Sequence, residues 1–277
     1  MDDVVQSIWT HWHGHPDVLI GLTVLQGGYL LAIRPLAHAN SKIKIEPLKV
    51  ASFTLGVLII SIALLSPVHI LSDTYLFSAH MVQHILLTLA SPPLLIYGTP
   101  DWMIRPILRP TPVFRFARLA THPVAAFFVF SFIFSVWHIP SLYNLSVTNH
   151  GIHIIEHLVF IFTAMLVWWP IMSPLPELPR LSYPSQMAYL FLLSIAQLII
   201  FAPITFSKDP LYQFYVNAPR IWNISPLADQ QIGGIIMKMS GAVIFLTLIV
   251  IVFFRWYKEE EAVKQLDFDS LGYPGKE

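Results

Sequence analysis

The chain has 277 residues, 55% of them hydrophobic and only 12% charged, with a mean hydropathy of +0.64; soluble domains carry roughly 25% charged residues, so this composition lacks the polar skin that a water-soluble fold needs. The formal net charge is zero, which argues against nucleic acid as a partner, because such binders carry a basic footprint. There is no cysteine, so disulfides, thiolate metal sites and thiol chemistry are excluded, and the 12 histidines and 8 methionines are the soft or borderline metal ligands that remain.

Residues 1–16 are polar and contain Asp2, Asp3, His11, His13 and His15. They have neither a basic n-region nor an apolar h-region, so a cleavable signal is not expected. The His11-x-His13-x-His15 pattern reads equally as a metal-capturing segment and as a plain polar one. A membrane helix needs about 20 mainly apolar residues, and seven stretches qualify: 17–36, 48–66, 76–97, 123–143, 150–170, 186–206 and 232–256. Pro47, Pro67, Pro100, Pro123, Pro184 and Pro226 fall at or near their boundaries, as suits a residue that cannot continue a helix ladder. Pro92 and Pro93 lie inside the third stretch and predict a kink. The tail from Lys258 is charged. The expected fold is an all-α integral membrane protein: an outer polar segment (1–16), about seven transmembrane helices in one bundle (17–257) and a charged cytoplasmic tail (258–277).

Lys and Arg favour the cytoplasmic side. With the N-terminus outside, the inner segments hold thirteen of them (Arg34, Lys42, Lys44, Lys49, Arg105, Arg109, Arg115, Arg118, Arg180, Arg255, Lys258, Lys264 and Lys276) and the outer segments two, Lys208 and Arg220. The expected topology is therefore N-outside and C-cytoplasmic. In that frame ten of the 12 histidines gather at the outer face, and only His38 and His122 fall inside.

His80-Met-Val-Gln-His84 and His153-Ile-Ile-Glu-His157 are i,i+4 pairs, which place two imidazoles on one helix face, one turn apart. His138 stands at similar depth at the end of the fourth stretch. Three helices can thus converge on His80, His84, His138, His153 and His157. Neutral imidazole suits copper, zinc, iron and nickel, and ionisable groups within a membrane default to function. A lone membrane histidine is often only a hydrogen-bond bridge between helices; two pairs and a fifth imidazole at one depth favour a metal or haem site. His69 and His150 read as interfacial. Glu156 is a candidate ligand, tautomer-fixing partner or proton acceptor. In Asp229-Gln-Gln-Ile-Gly-Gly-Ile-Ile-Met237-Lys-Met239, Met237 is either a thioether ligand or packing, and Gly233 and Gly234 permit close helix approach.

Four blocks in order carry a family resemblance: His80-Met-Val-Gln-His84 with Ser91-Pro-Pro-Leu-Leu-Ile-Tyr-Gly98-Thr-Pro100; Trp137-His138-Ile-Pro140-Ser-Leu-Tyr143; His153-Ile-Ile-Glu156-His157 with Trp169-Pro170; and Asp229 to Met237. Over roughly 70–256 the chain resembles the multi-pass CtaG family of bacterial cytochrome c oxidase assembly factors. The resemblance implies a plasma-membrane protein, not an enzyme, that helps mature a haem–copper oxidase, handling copper on the outer side. It implies His80, His84, His138, His153, His157 and Met237 as copper-handling residues, with Glu156 and Asp229 beside them, an oxidase subunit as recipient and a soluble outer carrier as a possible donor. The chain departs from the family pattern at Asn144, where Asp is expected, and at Lys238, where an aromatic residue is expected.

Other readings share parts of this pattern. His153-x-x-Glu156-His157 matches the H-x-x-E-H zinc protease pattern, with Asp229 or Asp73 needed as the distant ligand. A haem held between His84 and His138, or His84 and His157, is a second reading. A lipid desaturase also uses H-x-x-x-H boxes, but it places them on the cytoplasmic side and adds an H-x-x-H-H box that this chain lacks.

Overall fold

Prolines open most of the helices. A computed structural model describes the backbone of residues 14–39 and 46–270. His11, His13 and the rest of 1–13, the segments 40–45 and 271–277, and the side chains of 34–39 and 267–270, lie outside that description. Within it the elements are α1 (Pro16–Ala39), α2 (Pro47–Leu65), α3 (Pro67–Thr74), α4 (Phe77–Ile85), a π-helical turn (Leu86–Ala90), α5 (Ser91–Gly98), α6 (Asp101–Leu108), α7 (Thr111–Ala120), α8 (Pro123–Trp137), α9 (Pro140–Thr148), α10 (His150–Met172), α11 (Tyr183–Ala196), α12 (Leu198–Phe206), α13 (Gln213–Asn217) and α14 (Pro226–Ser270). The missing proline N–H falls among donors that are unpaired at any helix start.

Among the described residues, six helical stretches are long and apolar enough to cross a bilayer: Pro16–Ile33, Pro47–Leu65, Phe77–Gly98, His150–Met172, Tyr183–Phe206 and Pro226–Leu266. The expected span at 123–143 is corrected. α8 stops at Trp137, after 15 residues, about 22 Å of helix against a core of about 30 Å. It reaches a spanning length only together with α7, from which it is bent by 70°. Pro140 forces the break, because the residue before a proline is pushed out of the α region, and Ile139 has ψ 127°. The last helix also differs from expectation, starting at Pro226 and running through the charged stretch after Lys258 to Ser270. The arginine-rich segment 101–120, expected as a connection, forms α6 and α7.

Surface and interior are inverted relative to a soluble protein. Leu31, Phe128, Ile199 and Leu246 are exposed along the helices, while His80, Gln83, His84, Glu156 and Asp229 are almost fully buried, the arrangement lipid favours. The bend expected at Pro92 and Pro93 takes the form of the π turn at 86–90. Pro92 has no N–H for the Thr88 carbonyl four residues back; the Trp168 indole N–H donates to that carbonyl instead (2.9 Å). The turn thereby locks α10 against the strand of helix that carries His80 and His84.

Candidate metal centre

α4 presents His80 and His84, and α10 presents His153 and His157. Ligand atoms of His80, His84 and His157 all lie within 4.8 Å of one another, and a second group within the same limit holds Asp73, His80 and His153. His80 belongs to both. The Nε2 atoms of His80 and His84 are 2.7 Å apart. His138, at the C-terminal end of α8, sets its ring 5.5 Å from that of His84. The structure thus brings the five expected imidazoles together. Met237 is buried in the apolar core cluster that also holds Phe77, Met81 and Tyr212.

Hydrogen-bond partners fix which nitrogen carries each proton. His138 Nδ1–H donates to the Phe134 carbonyl (2.6 Å), so its Nε2 carries the lone pair. His80 Nδ1 lies 3.3 Å from Tyr215 Oη. Burial raises the Tyr215 phenol well above its ordinary range, so it stays neutral, and its one proton goes to the Ser72 carbonyl (2.7 Å). His80 Nδ1–H is therefore the donor, and His80 Nε2 faces His84 with a lone pair. His153 Nδ1 lies 3.4 Å from Asp73 Oδ2. His138 and His153 are thus oriented through one nitrogen and open at the other, as metal-binding histidines are, while the His80 Nε2 lone pair accepts from His84 Nε2.

The open nitrogens have no partners. Among the described residues, His84 Nδ1, His138 Nε2, His153 Nε2, His157 Nε2 and both carboxyl oxygens of Glu156 are buried without a hydrogen bond. Glu156 Oε1 is 3.5 Å from His84 Nε2. The Ser146 hydroxyl beside Glu156 gives its proton to the Tyr143 carbonyl (2.9 Å).

Several partners of this site were invisible as such in the sequence. Tyr215 arrives from the short helix α13, 135 positions from His80. Tyr143 bonds it across the core (3.1 Å). Gln83, inside the His80–His84 motif, donates to the Ala63 carbonyl (2.9 Å) and lies 3.1 Å from His69 Nδ1. His69 is buried within the bundle, whereas His150 is exposed. Asp229 also differs from expectation. Its carboxylate accepts from the backbone N–H of Phe77 (2.7 Å) and Ser78 (3.1 Å) and from the Ser78 hydroxyl. It thus serves as a cap, supplied by α14, for the helix that carries His80 and His84, satisfying donors that a helix start leaves unpaired. Gly233 allows this approach, since a Cβ there would meet Phe77 and Met81, and Gly234 allows that of α12, where a Cβ would meet Thr205 and Ile204. Replacing Asp229 with asparagine removes acceptor capacity from buried donors; a thermal melt in detergent should show about 1–3 kcal/mol less stability.

Both departures from the family pattern find local partners. Lys238 Nζ donates to the Ser194 carbonyl (2.7 Å) on α11, so its charge is held there rather than by Asp229. Asn144 Oδ1 accepts from the Phe214 N–H (3.0 Å), a bond that a carboxylate oxygen would make equally.

Residues 27–259 match the family model described as cytochrome c oxidase caa3 assembly factor (Caa3_CtaG). The chain belongs to this family. All four sequence blocks, and every residue of the two buried ligand groups, lie within the matched range of this Caa3_CtaG member. Uncharacterized proteins of Mycobacterium bovis and Mycobacterium tuberculosis are each 26% identical to it over 207 residues, which cover 68% of this chain and 31% of theirs. One of Mycobacterium leprae is 24% identical over 204 residues, covering 68% of this chain and 31% of its own. The match thus spans about a third of the length of these relatives. No solved structure matches the chain.

Proposed function

We propose that this protein binds copper through His80, His84 and His157, with His138, His153 and Glu156 at the same site, and passes it to a subunit of a caa3-type cytochrome c oxidase. Copper is cargo here, taken up and released. The observation that carries the reading is the set of six buried polar atoms without a partner, on four of the histidines and Glu156. Buried polar atoms are nearly always satisfied, and imidazole lone pairs with a carboxyl group make a donor set that copper or zinc completes. Between His80 and His84 a metal ion would take the place of the hydrogen-bonded proton, which His84 can carry on its unpartnered Nδ1. A site without thiolate binds firmly enough to load and loosely enough to hand on.

The rival readings receive less support. A zinc protease of the H-x-x-E-H kind needs a distant carboxylate ligand, but Asp229 is engaged as a helix cap, and Asp73 groups with His153 and His80 and not with His157. A haem needs a slot beside His84. The rings of His80, Phe160, His138 and His157 have centroids 4.3, 4.8, 5.5 and 6.0 Å from the His84 ring, which leaves no room for a porphyrin plane. We further propose the seven-span, N-outside arrangement in a bacterial plasma membrane, with α7 and α8 together as the fourth span; the Lys and Arg distribution supports it.

Metal analysis of the detergent-purified protein after copper loading tests the reading. Near-stoichiometric copper in the wild type, lost in the His80→Ala, His84→Ala, His157→Ala triple variant, is the expected result. No retained copper, or zinc retained in its place, would sink it.

A further inference from the structure

A third ligand group lies beyond the two buried ones. Ligand atoms of His15, Asp17 and His150 fall within 4.8 Å of one another. His150 Nε2 is 3.7 Å from Asp17 Oδ2, with the two side chains 65% and 40% exposed, and the rings of His15 and His150 stack at 5.7 Å. Exposed carboxylates and imidazoles often meet without binding anything, so this cluster alone carries little. It does, however, stand in register with the buried site.

His150, His153 and His157 stand at positions i, i+3 and i+7 of α10, one continuous stripe of a helix face. Each belongs to a different group: His150 to the exposed one, His153 to the middle one with Asp73 and His80, His157 to the buried one with His80 and His84. Successive steps along the stripe are about 4.5 and 6 Å. His80 is shared between the middle and buried groups, so an ion can gain the second set of ligands before it leaves the first. At the other junction His69 Nε2 bridges the two groups, 3.1 Å from His15 Nε2 and 3.5 Å from Asp73 Oδ2. The His153 Nε2 lone pair, buried and without a hydrogen bond, faces no competing donor.

We infer that His15, Asp17 and His150 form a surface loading site for copper ions, from which the ion steps along the α10 histidines through the Asp73–His80–His153 group to the buried site. The inference rests on the copper reading above. Movement is by ligand exchange alone: each new metal–nitrogen bond replaces an old one, and the ion keeps its oxidation state.

Copper(I) supplied as a chromogenic chelate, followed by loss of the chelate colour, gives the uptake rate; adding excess chelator to the loaded protein gives the release rate. The His15→Ala, His150→Ala and Asp17→Asn changes are confined to one side of the site and leave the buried ligands in place. In the combined variant, uptake and release are both expected to slow at least about tenfold, with the affinity of the buried site unchanged, because removing a step from a path alters both directions equally. Release that slows without uptake, or rates equal to wild type, would overturn the inference while leaving the copper reading intact. Copper would then reach the middle group through the cleft of about 520 Å³ that Asp73 lines with Asn144, Thr148 and Phe214. Failure of the wild type to take up copper at all would overturn both.

Discussion

Replacing His84 with alanine is expected to lower copper affinity by at least about 100-fold and to reduce maturation of the oxidase to the level seen without the protein. Losing a residue that merely orients a ligand weakens metal binding about 10- to 100-fold, and the proposed copper site makes His84 a ligand. It is the hub of the site: its Nε2 lies 2.7 Å from His80 Nε2 and 3.5 Å from Glu156, and its ring neighbours those of His138, His157 and Phe160. A hundredfold loss corresponds to about 2.8 kcal/mol. Truncating a buried ring also leaves a cavity, so the comparison needs a variant that loosens the same packing without removing a ligand. Phe160 is fully buried against His84; Phe160→Leu should destabilise by about 1 kcal/mol yet keep its copper. Copper titration of both variants, beside oxidase activity in membranes of cells that express them, is the measurement. If His84→Ala retained wild-type affinity, the imidazole cluster would be structural.

The largest effect on stability is expected at Gly98, where alanine should destabilise by about 2–4 kcal/mol. A Cβ there would lie 2.7 Å from Phe53 Cβ and 2.8 Å from the Lys49 carbonyl oxygen and would also press on the Phe53 backbone nitrogen. Backbone cannot swing aside as a flexible side chain can, and overpacking of this kind costs about 1–3 kcal/mol. The Gly98 carbonyl also accepts the buried Tyr29 hydroxyl (2.7 Å), and disturbing that bond adds about 1 kcal/mol. The clash would part α2 from α5, the helix that continues the one bearing His80 and His84. Gly28 gives the contrast. A Cβ there meets nothing within 4 Å, and alanine in a helix interior is favoured over glycine by about 1 kcal/mol. Thermal melts should therefore shift in opposite directions. Equal melting temperatures for Gly98→Ala and Gly28→Ala would show that the α2–α5 approach is not what holds this end of the bundle.

Much of this molecule is written locally. An apolar run of about 20 residues specifies a membrane helix wherever it stands, so the stretches at 17–36, 48–66, 76–97, 150–170 and 186–206 appear as helices close to their expected bounds. The i,i+4 spacing of His80 with His84 and of His153 with His157 fixes a shared face through helix geometry alone, and both pairs meet in the interior. The break at Ile139 is local too, since it follows from Pro140, but hydrophobicity continues across it and conceals the end of α8.

Tertiary structure decided which faces meet. Periodicity states that a residue lies on a given stripe and carries no information about the stripe opposite. Asp229 therefore looked like a neighbour of the imidazole cluster, whereas α14 brings it to the start of α4. Tyr215 orients His80 from 135 positions away, and His69 is buried against Gln83, contacts that no spacing encodes. The sequence by itself determined a membrane helix bundle with two paired histidine faces. The packing of those faces against one another, with lone pairs left inward and unpartnered, was settled only by long-range contacts, because burial and hydrogen bonding depend on neighbours that are distant along the chain.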